Sequence, residues 1–156
     1  MQPREAYEVD ARVFSDPSPV DNLTVTVGVS LDGDAVKQGR EIYLAEGCFY
    51  CHTQEVRDIV TDVGLGAVSL AGDYANEAPA PRGVQRIGPD LMHYGQRTLQ
   101  SLVVPGDAEN MQGAVDAIIR HLENPRGDYE WSLMPEYTYL SPTELNQLAA
   151  YLLSLQ

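Results

Sequence analysis

The sequence predicts a mainly α-helical domain over residues 32–156, preceded by a short β-patterned extension over residues 1–31. Three observations carry this. Apolar residues recur every three or four positions in three separate stretches, which is helical spacing. Helix-boundary residues bracket those stretches. Strict polar–apolar alternation occurs in two short runs before residue 31. With 156 residues, 44% of them hydrophobic, the chain has enough material for one packed domain and a modest appendage.

The elements follow in order. Residues 6–14 and Leu23–Val29 alternate with β-branched residues and read as two strands, with Asp16-Pro17-Ser18-Pro19 as the loop between them. A two-stranded ribbon is marginal alone, so it is expected to pack on the domain or on a partner. Asp32-Gly33-Asp34 opens a helix of about a dozen residues, with Asp34 as its N-cap and Val36, Gly39, Ile42 and Tyr43 on one face. Gly47 ends it. Residues 60–87 are rich in Gly, Ala and Pro without sustained period, and a loop of that length inside a compact domain needs something to wrap. Asp90 to Gly95 is expected to form one turn of helix. Asn110 to Glu123 predicts a longer helix with Met111, Val115, Ile118 and Leu122 on one face, stopped by Asn124-Pro125. Ser141-Pro142-Thr143-Glu144 is a capping box with proline at the first helical position. It starts a last helix with Leu145, Leu148, Ala149 and Leu152 on its apolar face.

Charge narrows the function. There are 23 acidic against 10 basic residues, a net charge of −13, and Lys37 is the only lysine. Such a surface repels nucleic acid and anionic membranes. It favours a basic protein partner, with an attraction that salt screens, although acidity also serves solubility alone. No apolar run approaches the roughly 20 residues of a membrane span, and the first residues lack a secretory leader pattern. A leader or anchor is therefore expected to be absent from this chain.

The two cysteines sit together as Cys48-Phe49-Tyr50-Cys51, followed at once by His52. Covalent haem c needs two thiols that reach the two vinyl groups of the porphyrin and an imidazole from the same turn for the iron. C-x-x-C-H supplies all three. Three other readings compete. A thioredoxin-like pair needs a βαβ setting, which the pattern lacks. A zinc site needs two further ligands, and His93 and His121 come from unrelated segments. A disulfide across two residues is an uncommon staple. One haem c attached through Cys48 and Cys51, with His52 on the iron, is the expected cofactor.

A second axial ligand suits a protein that only transfers electrons, and methionine is a common one. Among Met1, Met92, Met111 and Met134, the last lies in Leu133-Met134-Pro135, a loop stiffened by proline ahead of the final helix. Met134 is the expected ligand, against a core-filling role. Met111 and Met92 read as packing, and His93 and His121 as weaker ligand candidates. Gly88-Pro89 is a rigid turn, so Pro89 can offer its carbonyl to the other nitrogen of His52. Arg86 is a candidate partner for a haem propionate, as are Arg126 and Trp131, each against an ordinary surface or packing role.

Gly39-Arg40-Glu41-Ile42-Tyr43 through Gly47-Cys48, then Cys51-His52-Thr53-Gln54 and Arg57, resembles class I cytochrome c. More narrowly it is similar to the mono-haem subunit of cbb3-type haem–copper oxidases. Ser69-x-Ala71-Gly72-Asp73-Tyr74, Arg86-x-Gly88-Pro89-Asp90-Leu91, His121-Leu122-x-x-Pro125-Arg126 and Met134-Pro135-x-Tyr137 continue in that family's order, over roughly residues 38–156. The resemblance implies helices round one covalent haem, with first and last crossing near Gly39, Tyr43 and Tyr151. It implies His52/Met134 ligation and electrons passed towards an oxygen-reducing centre. The family's N-terminal transmembrane helix has no counterpart here, where residues 6–30 are β-patterned instead, and residues 98–115 read as an insertion.

The expected function is therefore single-electron transfer on the extracytoplasmic side, as a domain or subunit of a membrane respiratory complex: a cbb3-like oxidase or a relative such as a nitric oxide reductase. The expected partners are a redox protein with a basic docking surface and membrane oxidase subunits. A free soluble periplasmic shuttle is the alternative. A gas sensor or haem enzyme with an open iron site ranks below it, and a purely structural haem subunit ranks last.

Overall fold

The computed structural model describes residues 33–74, 78–102 and 108–155. The two β-patterned runs lie outside them. Among the described residues five helices make the frame: α1 (Gly33–Ala45), α2 (Tyr94–Leu102), α3 (Ala108–Glu123), the short α4 (Pro125–Asp128) and α5 (Pro142–Ser154). Two 3₁₀ turns, Cys48–Tyr50 and Val60–Asp62, interrupt the connection between α1 and α2. The described residues contain no strand, and the fold is the mainly α cytochrome c fold.

The centre of the frame is the crossing of α1 and α5. Val36, Gly39 and Tyr43 form the buried face of α1, spaced as the sequence predicts. A Cβ on Gly39 would overlap the Gln147 carbonyl of α5, so only glycine lets the two backbones approach this closely. One turn on, the Tyr43 and Tyr151 rings pack with centroids 5.3 Å apart. Asp34 falls inside the first turn of α1, where its charge suits the helix N-terminus, and not at the cap itself.

The last helix is more central than its predicted stripe implies. Leu145, Leu148, Ala149 and Leu152 are buried, and so are Ala150, Tyr151, Leu153 and Ser154, because α1, α2 and α3 all pack on it. The second half of the helix, from Leu148 on, is buried on every side and has no polar face left to show, while Thr143, Glu144, Asn146 and Gln147 keep one at its start. Leu148 and Leu153 are almost wholly enclosed, and burial of each such side chain stabilises the fold by about 1.5–3 kcal/mol. The capping box forms as read: Ser141 Oγ accepts from the Glu144 amide at 3.3 Å, and the Ser141 amide donates to Glu144 Oε2 at 2.8 Å.

Two boundaries differ from expectation. The helix expected at 90–95 starts at Tyr94 and continues to Leu102. Asp90 is the reason: its Oδ1 accepts the Met92 amide at 2.9 Å and bends the chain into a local turn. His93, at φ 56, then redirects the backbone, and regular bonding begins with the Arg97 amide on the His93 carbonyl at 2.9 Å. At the other boundary, Asn124-Pro125 ends α3 and also starts α4, since Asn124 Oδ1 accepts the Gly127 amide at 2.9 Å and Pro125 occupies the first helical position.

Candidate haem centre

Gly47, at φ 70, turns the chain out of α1. The 3₁₀ turn that follows carries the C-x-x-C-H motif: the Cys51 and His52 amides both donate to the Cys48 carbonyl, at 3.1 and 3.0 Å. One tight turn therefore presents two half-buried thiols and an imidazole together. Both cysteines are free thiols. Burial pushes the Cys48 thiol up to about 11. A thioredoxin-type pair works through a depressed thiol, so the environment of Cys48 is the opposite of what that reading needs. Nor do three His, Cys, Asp or Glu side chains converge anywhere among the described residues as an all-protein metal site requires.

His52 is oriented from behind. Its Nδ1 lies 2.8 Å from the Pro89 carbonyl oxygen. A carbonyl only accepts, so Nδ1 carries the proton and Nε2 keeps the lone pair that a metal needs. Burial lowers the pKa of the ring, which favours the same neutral form. Gly88 makes the approach possible, because a Cβ there would run into the imidazole. On either side of this contact, the Gly88 amide donates to the Cys51 carbonyl at 2.9 Å and the Leu91 amide to the Thr53 carbonyl at 2.7 Å. The histidine thus sits inside a short ladder between residues 51–53 and 88–91.

The motif faces an open cleft. Cys48, His52, His121 and Met134 line it, and the rest of the lining is largely apolar, with Ile118 of α3 and Leu152 of α5 among its walls. Met134 is half-buried and packs against the core. Its loop is anchored where the Tyr137 amide donates to the Leu122 carbonyl at 2.9 Å. The Cys48 thiol, the His52 imidazole with its lone pair, the Met134 thioether and largely apolar walls share the cleft, with Cys51 on the same turn as Cys48, and this donor set fits haem c.

The other sequence candidates separate. Met111 and Met92 are buried away from this lining. His93 lies 3.1 Å from the Ala67 carbonyl through Nε2 and lines no part of the cleft. His121 does line it, with Nδ1 2.9 Å from Asp128 Oδ2. Trp131 is 79% exposed and stacks near Tyr129, with ring centroids 5.5 Å apart. Arg126 is exposed, and its Nε donates to the Ser132 carbonyl at 3.3 Å.

Arg86 is placed in a buried network, and each of its three nitrogens already donates there. Nε bonds Thr53 Oγ1 at 2.7 Å, Nη1 bonds Asp62 Oδ1 at 2.5 Å, and Nη2 bonds the Glu55 carbonyl at 2.5 Å and Asp90 Oδ2 at 3.0 Å. Asp62 also takes Arg57 Nε at 3.0 Å. The two guanidiniums hold its carboxyl far below the usual carboxylate range. Sequence reasoning passed over Asp62 and the carboxylate of Asp90 as site residues, because a buried acid looks like any other acid until its partners are known. It also left open the role of Gln54, which is fully buried and bonds the Tyr151 hydroxyl through Nε2 at 3.0 Å, tying the loop to α5.

Comparison with protein families places a match over residues 28–153 to the family described as cytochrome C oxidase, mono-heme subunit/FixO. Comparison with curated proteins returned no match. Among the described residues, no helix is long and apolar enough to cross a membrane. The family match spans the α1–α5 crossing, the Cys48–His52 turn and the Met134 loop alike, in agreement with the cbb3-type resemblance of those residues. The chain therefore belongs to the mono-haem subunit family of cytochrome c oxidases.

Proposed function

We propose that the chain holds one haem c through thioether bonds from Cys48 and Cys51, with His52 Nε2 and Met134 Sδ on the iron. In this reading it passes single electrons to a membrane oxidase on the extracytoplasmic side. The observation that carries the proposal is the His52–Pro89 contact of 2.8 Å, which leaves Nε2 as the basic nitrogen beside the cleft shared with Cys48 and Met134.

When bound, the haem supplies an iron that gains and loses one electron. The residues of the chain do the rest. The Cys48 and Cys51 S–H bonds add across two vinyl groups, so no atom is lost and no oxidant is needed. The Pro89 carbonyl holds the imidazole and strengthens it as a donor. The apolar lining excludes water and disfavours added charge, which together with a thioether ligand favours the ferrous form and a higher potential. Arg126 and Trp131 offer N–H donors to the propionates. The net charge of −13 orients a basic redox partner in a salt-dependent way.

The test begins with haem staining of a denaturing gel after expression with the haem maturation system. Wild-type chain stains, and Cys48→Ala and Cys51→Ala lose covalent haem; normal staining in both variants defeats the attachment reading. Met134→Ala keeps the haem but opens the iron to carbon monoxide, and an unchanged reduced spectrum without carbon monoxide binding removes Met134 as ligand. For the partner, mild-detergent purification from the native host should bring down haem b and copper in fixed ratio. Elution of the chain alone would favour the free shuttle, to which an acidic surface is equally suited.

A further inference from the structure

We propose that Asp90 is the positioning residue for the axial histidine. Its buried carboxylate staples the segment that carries His52 to the segment that carries Pro89, and so sets the His52–Pro89 hydrogen bond. The proposal rests on His52 ligating the iron.

Asp90 follows Pro89 directly and is 3% exposed. Its Oδ2 accepts from Thr53 Oγ1 at 2.5 Å, from the Glu55 amide at 2.9 Å and from Arg86 Nη2 at 3.0 Å. Its Oδ1 accepts the Met92 amide at 2.9 Å. Every one of these donors lies within three residues of His52 or of Pro89. The direction of the bonds is forced. Arg86 Nε can only donate, so Thr53 Oγ1 accepts from it at 2.7 Å and has a single proton left, which goes to Asp90. Thr53 is thereby fixed from two sides, one residue after the histidine. Asp62, also buried, holds Arg86 from its far side at 2.5 Å. The Asp90 backbone is fixed too, its carbonyl accepting from Arg97 Nη2 at 2.8 Å.

Two backbone bonds already join residues 51–53 to 88–91, and burying a carboxylate costs free energy that its partners must offset. The added carboxylate does something the backbone bonds do not: it removes the remaining freedom of Thr53 and of the Pro89–Asp90 peptide together. The length of the Nδ1–H···O=C bond depends on both. A shorter bond makes Nε2 a stronger donor to the iron and favours the ferric form. Loosening the staple therefore raises the midpoint potential.

Thr53→Val removes the hydroxyl without changing any charge, and Thr53→Ser restores it. In the haem-loaded full chain, Thr53→Val should shift the midpoint potential upward and Thr53→Ser should return it to the wild-type value. The ring N–H resonance of His52, followed by NMR in ferrous protein labelled with ¹⁵N-histidine, should move upfield and exchange faster with water in Thr53→Val. Asp90→Asn is the second variant, needed if Thr53→Val yields no haem protein. There the resonance decides, because losing a charge alone moves the potential and leaves the ring proton where it was. Unchanged resonance in the variants, with or without a lower melting temperature, overturns the proposal and leaves Asp90 a structural residue. A wild-type chain without gel-stable haem marks a failure of the haem reading instead.

Discussion

The helical frame and the loop over residues 52–93 are held together by different physics. Where α1 meets α5, the contact is a matter of shape: Gly39 against the Gln147 carbonyl, Tyr43 against Tyr151, and leucines that are almost fully enclosed. In the loop the interior is charged. Asp62 and Asp90 are buried and collect Arg57, Arg86, Thr53 and three backbone amides between them. Several aliphatic residues of the same loop point outwards, Val60 and Val63 being 88% and 83% exposed, whereas Val56 and Leu91 turn inwards. A helix satisfies its own backbone and needs only an apolar face to pack. A segment without regular structure has no internal ladder, so its N–H groups must find acceptors elsewhere, and buried carboxylates provide several at once. The loop that holds His52 against Pro89 is therefore the part of the molecule most dependent on ionisation.

The largest effect that separates the two regions is expected at Gly39. Gly39→Val drives a branched side chain into the α5 backbone, which cannot yield as a flexible side chain would, and costs about 3 kcal/mol or more. Chemical denaturation should show the loss as a lower midpoint of the whole transition. A variant of wild-type stability would mean that the crossing is looser than its contacts imply.

Acid is the complementary probe, and it should strike the loop first. The pKa of Asp62 is depressed in the folded chain, chiefly by Arg57 and then by Arg86. Its contribution is complete above the ordinary aspartate value near 4 and is lost as pH falls from there towards the lower folded value. Hydrogen-exchange protection of the Arg57 amide, which donates to Asp62 Oδ2 at 2.8 Å, should decline below about pH 4. Amides in the middle of α5, around Leu148 to Leu152, should hold their protection over the same range. Simultaneous loss in both places would show one cooperative unit and erase the distinction.

The smallest effect sits at the edge of the frame. Ser141→Ala removes the side-chain half of the capping box and should cost about 1 kcal/mol. Glu144, whose pKa is lowered chiefly by the Ser141 hydroxyl, should return towards its ordinary value in the variant. Thermal melting and a carboxylate titration by NMR read the two effects separately, and neither should disturb residues 52–93.

What could be read from the sequence was local. The periodic faces of α1, α3 and α5, the Ser141–Glu144 box and the stop at Asn124-Pro125 depend on residues within a turn or two of each other. The same holds for Cys48, Cys51 and His52, whose spacing is itself the chemistry. The Gly88-Pro89 turn was legible because rigidity is intrinsic to proline. The glycine crossing came through resemblance to a family, and Met134 through its proline-stiffened loop together with that resemblance.

The tertiary structure alone decided the polar partnerships between distant segments. Arg86 lies 24 residues from Asp62, and Gln54 lies 97 from Tyr151; no short-range pattern joins either pair. It also decided that the turn at Asp90 would delay α2 to Tyr94, since helix propensity is worth tenths of a kcal/mol per residue and a buried carboxylate with several donors outweighs it. Elements follow from nearest neighbours along the chain and are written there. Partnerships follow from distance in space, and for this chain they appear once α1, α2 and α3 have closed around α5.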